Sequence, residues 1–188
     1  MDAKLDHRPM PHSWADALRE RPIRTAAIVV AAGGAAAILG VWFFQYGLGL
    51  KPCPLCLDQR YAFYFGIPLA VLVWLGESVG SSRKVLIAAL FVLAAGMLWN
   101  TGLSTYHAGI EWKWWPGPPD CSGPIDKLGS GGGLLSQLQS ISVVRCDEAA
   151  WRFLGLSLAG YDVLLSLALA VVAGWGVVAS LRQGPAAR

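Results

Sequence analysis

Two pairs of cysteines hold the chemistry this sequence can do. Cys53-Pro54-Leu55-Cys56 is a Cys-x-x-Cys unit just ahead of a long apolar run, and Cys121 and Cys146 follow with 24 residues between them. Two intervening residues let a disulfide close across one turn, and a helix start offers unpaired N–H groups and positive dipole. Both favour a thiolate over a thiol, expected here at Cys56. Arg60 stands four residues after Cys56 and so shares its helical face, with Cβ atoms ~5–6 Å apart. A guanidinium there stabilises a thiolate or polarises a carbonyl held above it. Taken alone, Arg60 could equally anchor a helix end at a membrane surface.

Other uses of Cys-x-x-Cys fit less well. A zinc site needs a second, compact pair of ligands, whereas Cys121 and Cys146 are 25 positions apart. Covalent haem attachment needs a histidine directly after Cys56, where Leu57 stands. No metal site is expected, including at His7 and His12 of the polar N-terminal segment.

The elements that position these cysteines are membrane helices. Hydrophobic residues make up 55% of the 188 positions and charged ones 14%, more apolar surface than a soluble core of this length can use. They fall in blocks of about 18 or more, the length a helix needs to cross roughly 30 Å of hydrocarbon. Four spans are expected, at 25–48, 57–75, 85–106 and 163–181, between tails at 1–24 and 182–188. The first holds the small-residue pairs Gly33/Ala37 and Ala36/Gly40, which favour close helix contact. Pro68 is expected to kink the second, and Asn100 in the third to hydrogen-bond a neighbouring helix. Residues 151–162 read as an interfacial entry to the fourth span.

An even number of spans puts both termini on one side. The tails and the 76–84 turn carry nine of the fifteen Lys and Arg residues, so they are expected in the cytoplasm. The connections at 49–56 and 107–162 then face outward, where disulfides persist. The second is long, with Trp112, Trp114 and Trp115 suggesting an interfacial belt, a glycine run at 131–133, and Leu134, Leu135, Leu138 and Ile141 spaced for a short surface helix. Cys121 and Cys146 alone would suit a structural disulfide closing this loop. With the Cys-x-x-Cys unit on the same side, they also suit a stepwise two-electron relay from a soluble dithiol toward the bilayer. The formal net charge of +3 and the lack of basic runs interleaved with aromatics speak against nucleic acid.

The motif order carries a family resemblance. Cys53-Pro54-Leu55-Cys56 followed by Leu57-Asp58-Gln59-Arg60, then His107 ahead of Cys121, then the stretch from Cys146 through Trp151-Arg152-Phe153-Leu154-Gly155-Leu156-Ser157 resembles the disulfide bond formation protein B (DsbB) family. The vitamin K epoxide reductase family, with similar chemistry, places its Cys-x-x-Cys late in the bundle. The resemblance implies an all-α membrane protein, a four-helix bundle in the bacterial inner membrane with both termini cytoplasmic. It implies a protein-dithiol:quinone oxidoreductase that reoxidises a periplasmic thioredoxin-fold protein, DsbA, and passes electrons to ubiquinone or menaquinone. By matching position, Cys121 would form the mixed disulfide with the partner, Cys146 would be its pair, and Cys146 would also exchange with Cys53. Cys56 would be the thiolate that contacts quinone, Arg60 the cation beside the ring, and His107 a neighbour of that site. The competing class is a non-catalytic membrane adaptor with inert disulfides, which would have no use for Arg60 four residues after Cys56. The 122–145 segment departs from the family pattern as an insertion, and the Trp/Pro-rich approach to Cys121 is particular to this chain.

Overall fold

A computed structural model describes residues 20–118 and 145–183. Helix α1 (Pro22–Trp42) ends in a π-helical turn (Phe43–Gly47). After it come α2 (Pro54–Ser78), α3 (Arg83–Glu111), a hairpin of β1 (Arg152–Phe153) and β2 (Leu156–Ser157), and α4 (Leu158–Arg182). All four helical segments are long and apolar enough to cross a membrane. The bundle closes as a ring, with α1 and α3 each packing against both α2 and α4. Large side chains such as Phe65, Leu72, Phe91 and Val171 point outward, as lipid-facing positions do when the solvent is itself apolar.

The helix starts follow from local sequence. Pro54 occupies the first turn of α2, where its missing N–H costs nothing, and Cys53 caps that helix with its sulfur. Ser157 caps α4 by accepting from the Gly160 N–H at 3.2 Å. Close approach between helices is set by small residues. A Cβ on Gly176 of α4 would lie 2.6 Å from the Ala26 Cβ of α1, and one on Gly66 of α2 would lie 2.6 Å from Met97 Cε of α3. Gly33 meets Leu169 of α4, whereas Gly40 has open space beside it. α2 continues through Pro68.

The helices extend beyond the spans read from hydropathy. α2 begins at Pro54 rather than 57, which puts Cys56 in its first turn. The turn expected at 76–84 shrinks to the residues between Ser78 and Arg83. α3 runs on past 106 to Glu111, so His107 is a buried helical residue and not the start of a loop. α4 begins at Leu158 rather than 163 and takes Asp162 inside. For the ends of α3 and α4 the physical reason is shared: polar groups end a span only if they face lipid, and His107 and Asp162 face partner helices. Asn100 does what its burial demands, donating to Asp162 Oδ2 at 3.1 Å and to Ser166 Oγ at 2.9 Å, both on α4. The hairpin replaces part of the expected interfacial entry; its Leu154-Gly155 turn has positive φ at both residues, 48° and 82°. The glycine run at 131–133, the surface helix expected over 134–141, Cys121, His7 and His12 lie outside the described residues.

Candidate active site at the cysteine end of the bundle

The first turn of α2 and its cap hold the Cys-x-x-Cys pair. Cys53 and Cys56 are free thiols with their sulfurs 2.7 Å apart. The Cys56 backbone N–H donates to Cys53 Sγ at 3.2 Å. The helix start was expected to favour a thiolate at Cys56, but its donors converge on Cys53. The Cys56 thiol hydrogen bond is the largest influence holding Cys53 down to about 5; burial opposes it, and His107 assists. The reason is positional: the capping residue, not the third helical residue, receives the first-turn N–H.

His107 joins from α3. Its Nε2 is 3.6 Å from Cys53 Sγ, and Gln59 Nε2 lies 2.9 Å from its Nδ1. With the Gln59 amide nitrogen toward the ring, Nδ1 accepts and the ring proton sits on Nε2, facing the Cys53 sulfur. Glu111, one turn further along α3, brings Oε1 to 3.9 Å from the same Nε2. Cys146 comes from the long connection and is buried against this group. The sulfurs of Cys53 and Cys146 and a ring nitrogen of His107 all lie within 4.8 Å of one another. Cys146 is disulfide-bonded, its partner lying outside the described residues. Cys53, Leu55, Ile110 and Cys146 form one buried apolar cluster around the sulfurs.

On the other side of α2, Cys56 lines an open cleft. Ile38, Val41, Phe44 and Phe63 make apolar walls, while Arg60 adds a guanidinium and Asp162 a carboxyl group. Arg60 is only 9% exposed, and its Nη1 donates to Gln45 Oε1 at 2.6 Å from the π-helical turn of α1. It is therefore a fixed cation at the cleft rather than a side chain reaching for the membrane surface. Just outside, Asp147 is held below the usual carboxylate range by Arg145 first and then Lys113. Of these, the Lys113–Asp147 pair links the chain beside Cys146 to the residues just past α3.

The structure thus gathers Cys53, Cys56, Arg60, His107 and Cys146 at one end of the bundle, and leaves Cys121 undescribed. Sequence reading missed Gln59, Gln45 and Glu111. Gln59 carried one usable signal, its place between Cys56 and Arg60, whereas Gln45 and Glu111 carried none, because their partners come from other helices.

Four membrane-spanning helices with a Cys-x-x-Cys cap and a third cysteine in reach define a multi-pass thiol–disulfide oxidoreductase. The family described as disulfide bond formation protein DsbB matches residues 23–176. Proteins called disulfide bond formation protein B from Psychrobacter sp. (strain PRwf-1) and Azoarcus sp. (strain BH72) are each 30% identical, over 152 and 139 residues. These alignments cover 77% and 71% of this chain, and 85% and 79% of the two relatives. The protein of the same description from Xanthomonas campestris pv. campestris (strain 8004) is 29% identical over 149 residues, 76% of this chain and 82% of its own. No solved structure matches. The chain belongs to the DsbB family, and its role is in disulfide bond formation.

Proposed function

We propose that this protein reoxidises a DsbA-like, thioredoxin-fold dithiol protein on the outer face of the bacterial inner membrane and passes the two electrons to a membrane quinone, ubiquinone or menaquinone. The observation that carries this reading is the placement of Cys53, within 4.8 Å of Cys146 and 2.7 Å from Cys56, with Cys56 lining an apolar cleft beside Arg60. The outward orientation is supported by the Lys and Arg count, nine of fifteen on the opposite side.

Balanced, the reaction is dithiol plus quinone giving disulfide plus quinol. A thiolate of the partner attacks Cys121 of a Cys121–Cys146 disulfide, forms the mixed disulfide and releases Cys146 as thiolate. Cys146 attacks Cys53 of a Cys53–Cys56 disulfide, which releases Cys56 as thiolate toward the cleft. This order reconciles the two sulfurs: Cys53 is the better thiolate when both are reduced, and Cys56 becomes the free one when Cys53 is bonded to Cys146. The partner's second thiol then resolves the mixed disulfide, returning Cys121 to exchange with Cys146 and freeing Cys53, which closes again on Cys56 when an acceptor in the cleft takes the pair's two electrons. His107, oriented by Gln59, steadies negative charge on the Cys53 sulfur during each exchange.

The cleft fits a quinone: apolar walls for ring and isoprenoid tail, a fixed guanidinium for a carbonyl oxygen, and a thiol as electron donor. Bound there, a quinone supplies an acceptor for two electrons and two protons. Arg60 would hold it, with Gln45 fixing the guanidinium, and Phe44 and Phe63 would exclude water.

The test is quinone absorbance in the purified protein on adding a reduced thioredoxin-fold donor. Quinone reduction that vanishes in Cys56→Ser and weakens in Arg60→Ala is expected. No reduction by any such donor in the wild type would overturn the reading.

A further inference from the structure

Asp162 is an ionisable group inside a membrane helix that the thiol relay does not use. Its carboxylate is held by Asn100 Nδ2 at 3.1 Å, Ser104 Oγ at 2.5 Å and Ser166 Oγ at 3.3 Å. All three are neutral donors, so among the described residues no lysine or arginine neutralises it by direct contact. An acid in a membrane span is costly to keep, and where one persists it commonly serves transport of charge or protons. Asp162 also lines the same cleft as Cys56 and Arg60.

We infer that Asp162 is the acid that delivers a proton to the quinone oxygen as the cleft's thiols are oxidised, an inference that rests on the quinone reading of that cleft. The need arises from proton counting. Quinol formation takes two protons. Cys53, held near 5, is a thiolate at neutral pH, so the reduced pair brings one proton, on Cys56. Cys53 thiolate, Cys56 thiol, protonated Asp162 and quinone give the Cys53–Cys56 disulfide, the Asp162 carboxylate and quinol. The sulfurs lose two electrons and the quinone gains them; one proton leaves Cys56 and one leaves Asp162; the charge is −1 on each side. The three donors then stabilise the carboxylate until it is reprotonated from the aqueous side. Among the described residues, the charged or titratable groups around Asp162 are Cys56 and Arg60 from α2, His107 from α3 and Lys51 from the α1–α2 connection. Arg60 and Lys51 are cations without a readily released proton at neutral pH, the Cys56 proton is already counted, and His107 faces Cys53 and does not line the cleft, which leaves the carboxylic acid as the donor.

The alternative is that Asp162 only clasps α3 to α4. Asp162→Asn keeps a polar clasp and removes the acid, while Asp162→Glu keeps the acid. Infrared spectra of quinone-free, reduced wild type at neutral pH should contain a buried carboxylic acid C=O band that Asp162→Asn lacks. Reduction of a short-chain ubiquinone should slow about 100-fold in Asp162→Asn and become dependent on solvent acidity, falling as pH rises, with part of the rate recovered in Asp162→Glu. Thiol exchange between Cys53 and Cys146, followed without quinone, should be unchanged in both variants. Absence of the band, or an Asp162→Asn rate equal to wild type, overturns the inference and leaves the quinone reading standing. Failure of wild type to reduce quinone overturns both.

Discussion

The two ends of this bundle are built from the same four helices on different principles. At the far end, Ile23, Ala26, Val30, Val73, Leu90 and Ala173 interlock as a small-residue and aliphatic core. There Gly176 brings α4 onto α1, and Arg83 at the start of α3 donates to the Ser180 carbonyl of α4. Toward the cysteine end, α3 and α4 change character: Asn100, Ser104, His107, Glu111, Ser157 and Ser166 are all buried. Close packing holds the far end together, since a bilayer supplies no hydrophobic drive between helices. The polar end would be a poor way to stabilise a bundle; it suits a site that moves electrons and protons.

The contrast is tested most severely at the sulfurs. Cys53→Ser should reduce partner reoxidation to background while leaving thermal unfolding in detergent near wild type, because serine keeps the cap on α2. Substitution at the far end should do the reverse. In Gly176→Leu the first side-chain carbon would already lie 2.6 Å from the Ala26 Cβ, so the change should destabilise by about 1–3 kcal/mol with exchange chemistry intact in the folded fraction. Thermal unfolding and turnover, measured on one preparation, separate the two effects.

Smaller effects probe the site itself. Alkylation of Cys53 in the reduced protein should be level at neutral pH and fall as acidity passes about 5. The sign follows from the lowered value: the folded state favours the thiolate, so this contribution to stability is full above the unfolded thiol range near 9.0 and lost as pH falls toward 5. Gln59→Leu frees the His107 ring from a hydrogen bond worth about 1 kcal/mol, and should move that alkylation profile upward. Least of all, Lys113→Ala removes an exposed partner of Asp147 and should leave turnover and unfolding almost unchanged, as surface ion pairs do.

How much of this was legible in the sequence differs between the same two regions. The far end was readable, since long apolar blocks have few folds open to them in a membrane. The cysteine end was readable in its residues but not in its geometry. His107 and Asp162 read as exits from the bilayer because hydropathy cannot tell a polar group facing lipid from one facing Gln59 or Ser104. Two-residue strands at 152–153 and 156–157 are too short for alternation to register. The switch of thiolate from Cys56 to Cys53 depended on which sulfur sits at the cap, a matter of where α2 begins.

In the proposed relay, direct exchange between Cys53 and Cys146 is the step that joins the two cysteine pairs. In a Cys56→Ser, Cys121→Ser double variant only these two cysteines remain. Mild oxidation followed by non-reducing peptide mapping should recover a Cys53–Cys146 linked pair in nearly all molecules, and Cys53 should lose its reactivity to alkylation. If both cysteines stay alkylatable after oxidation, the two pairs are not joined, and the relay is wrong.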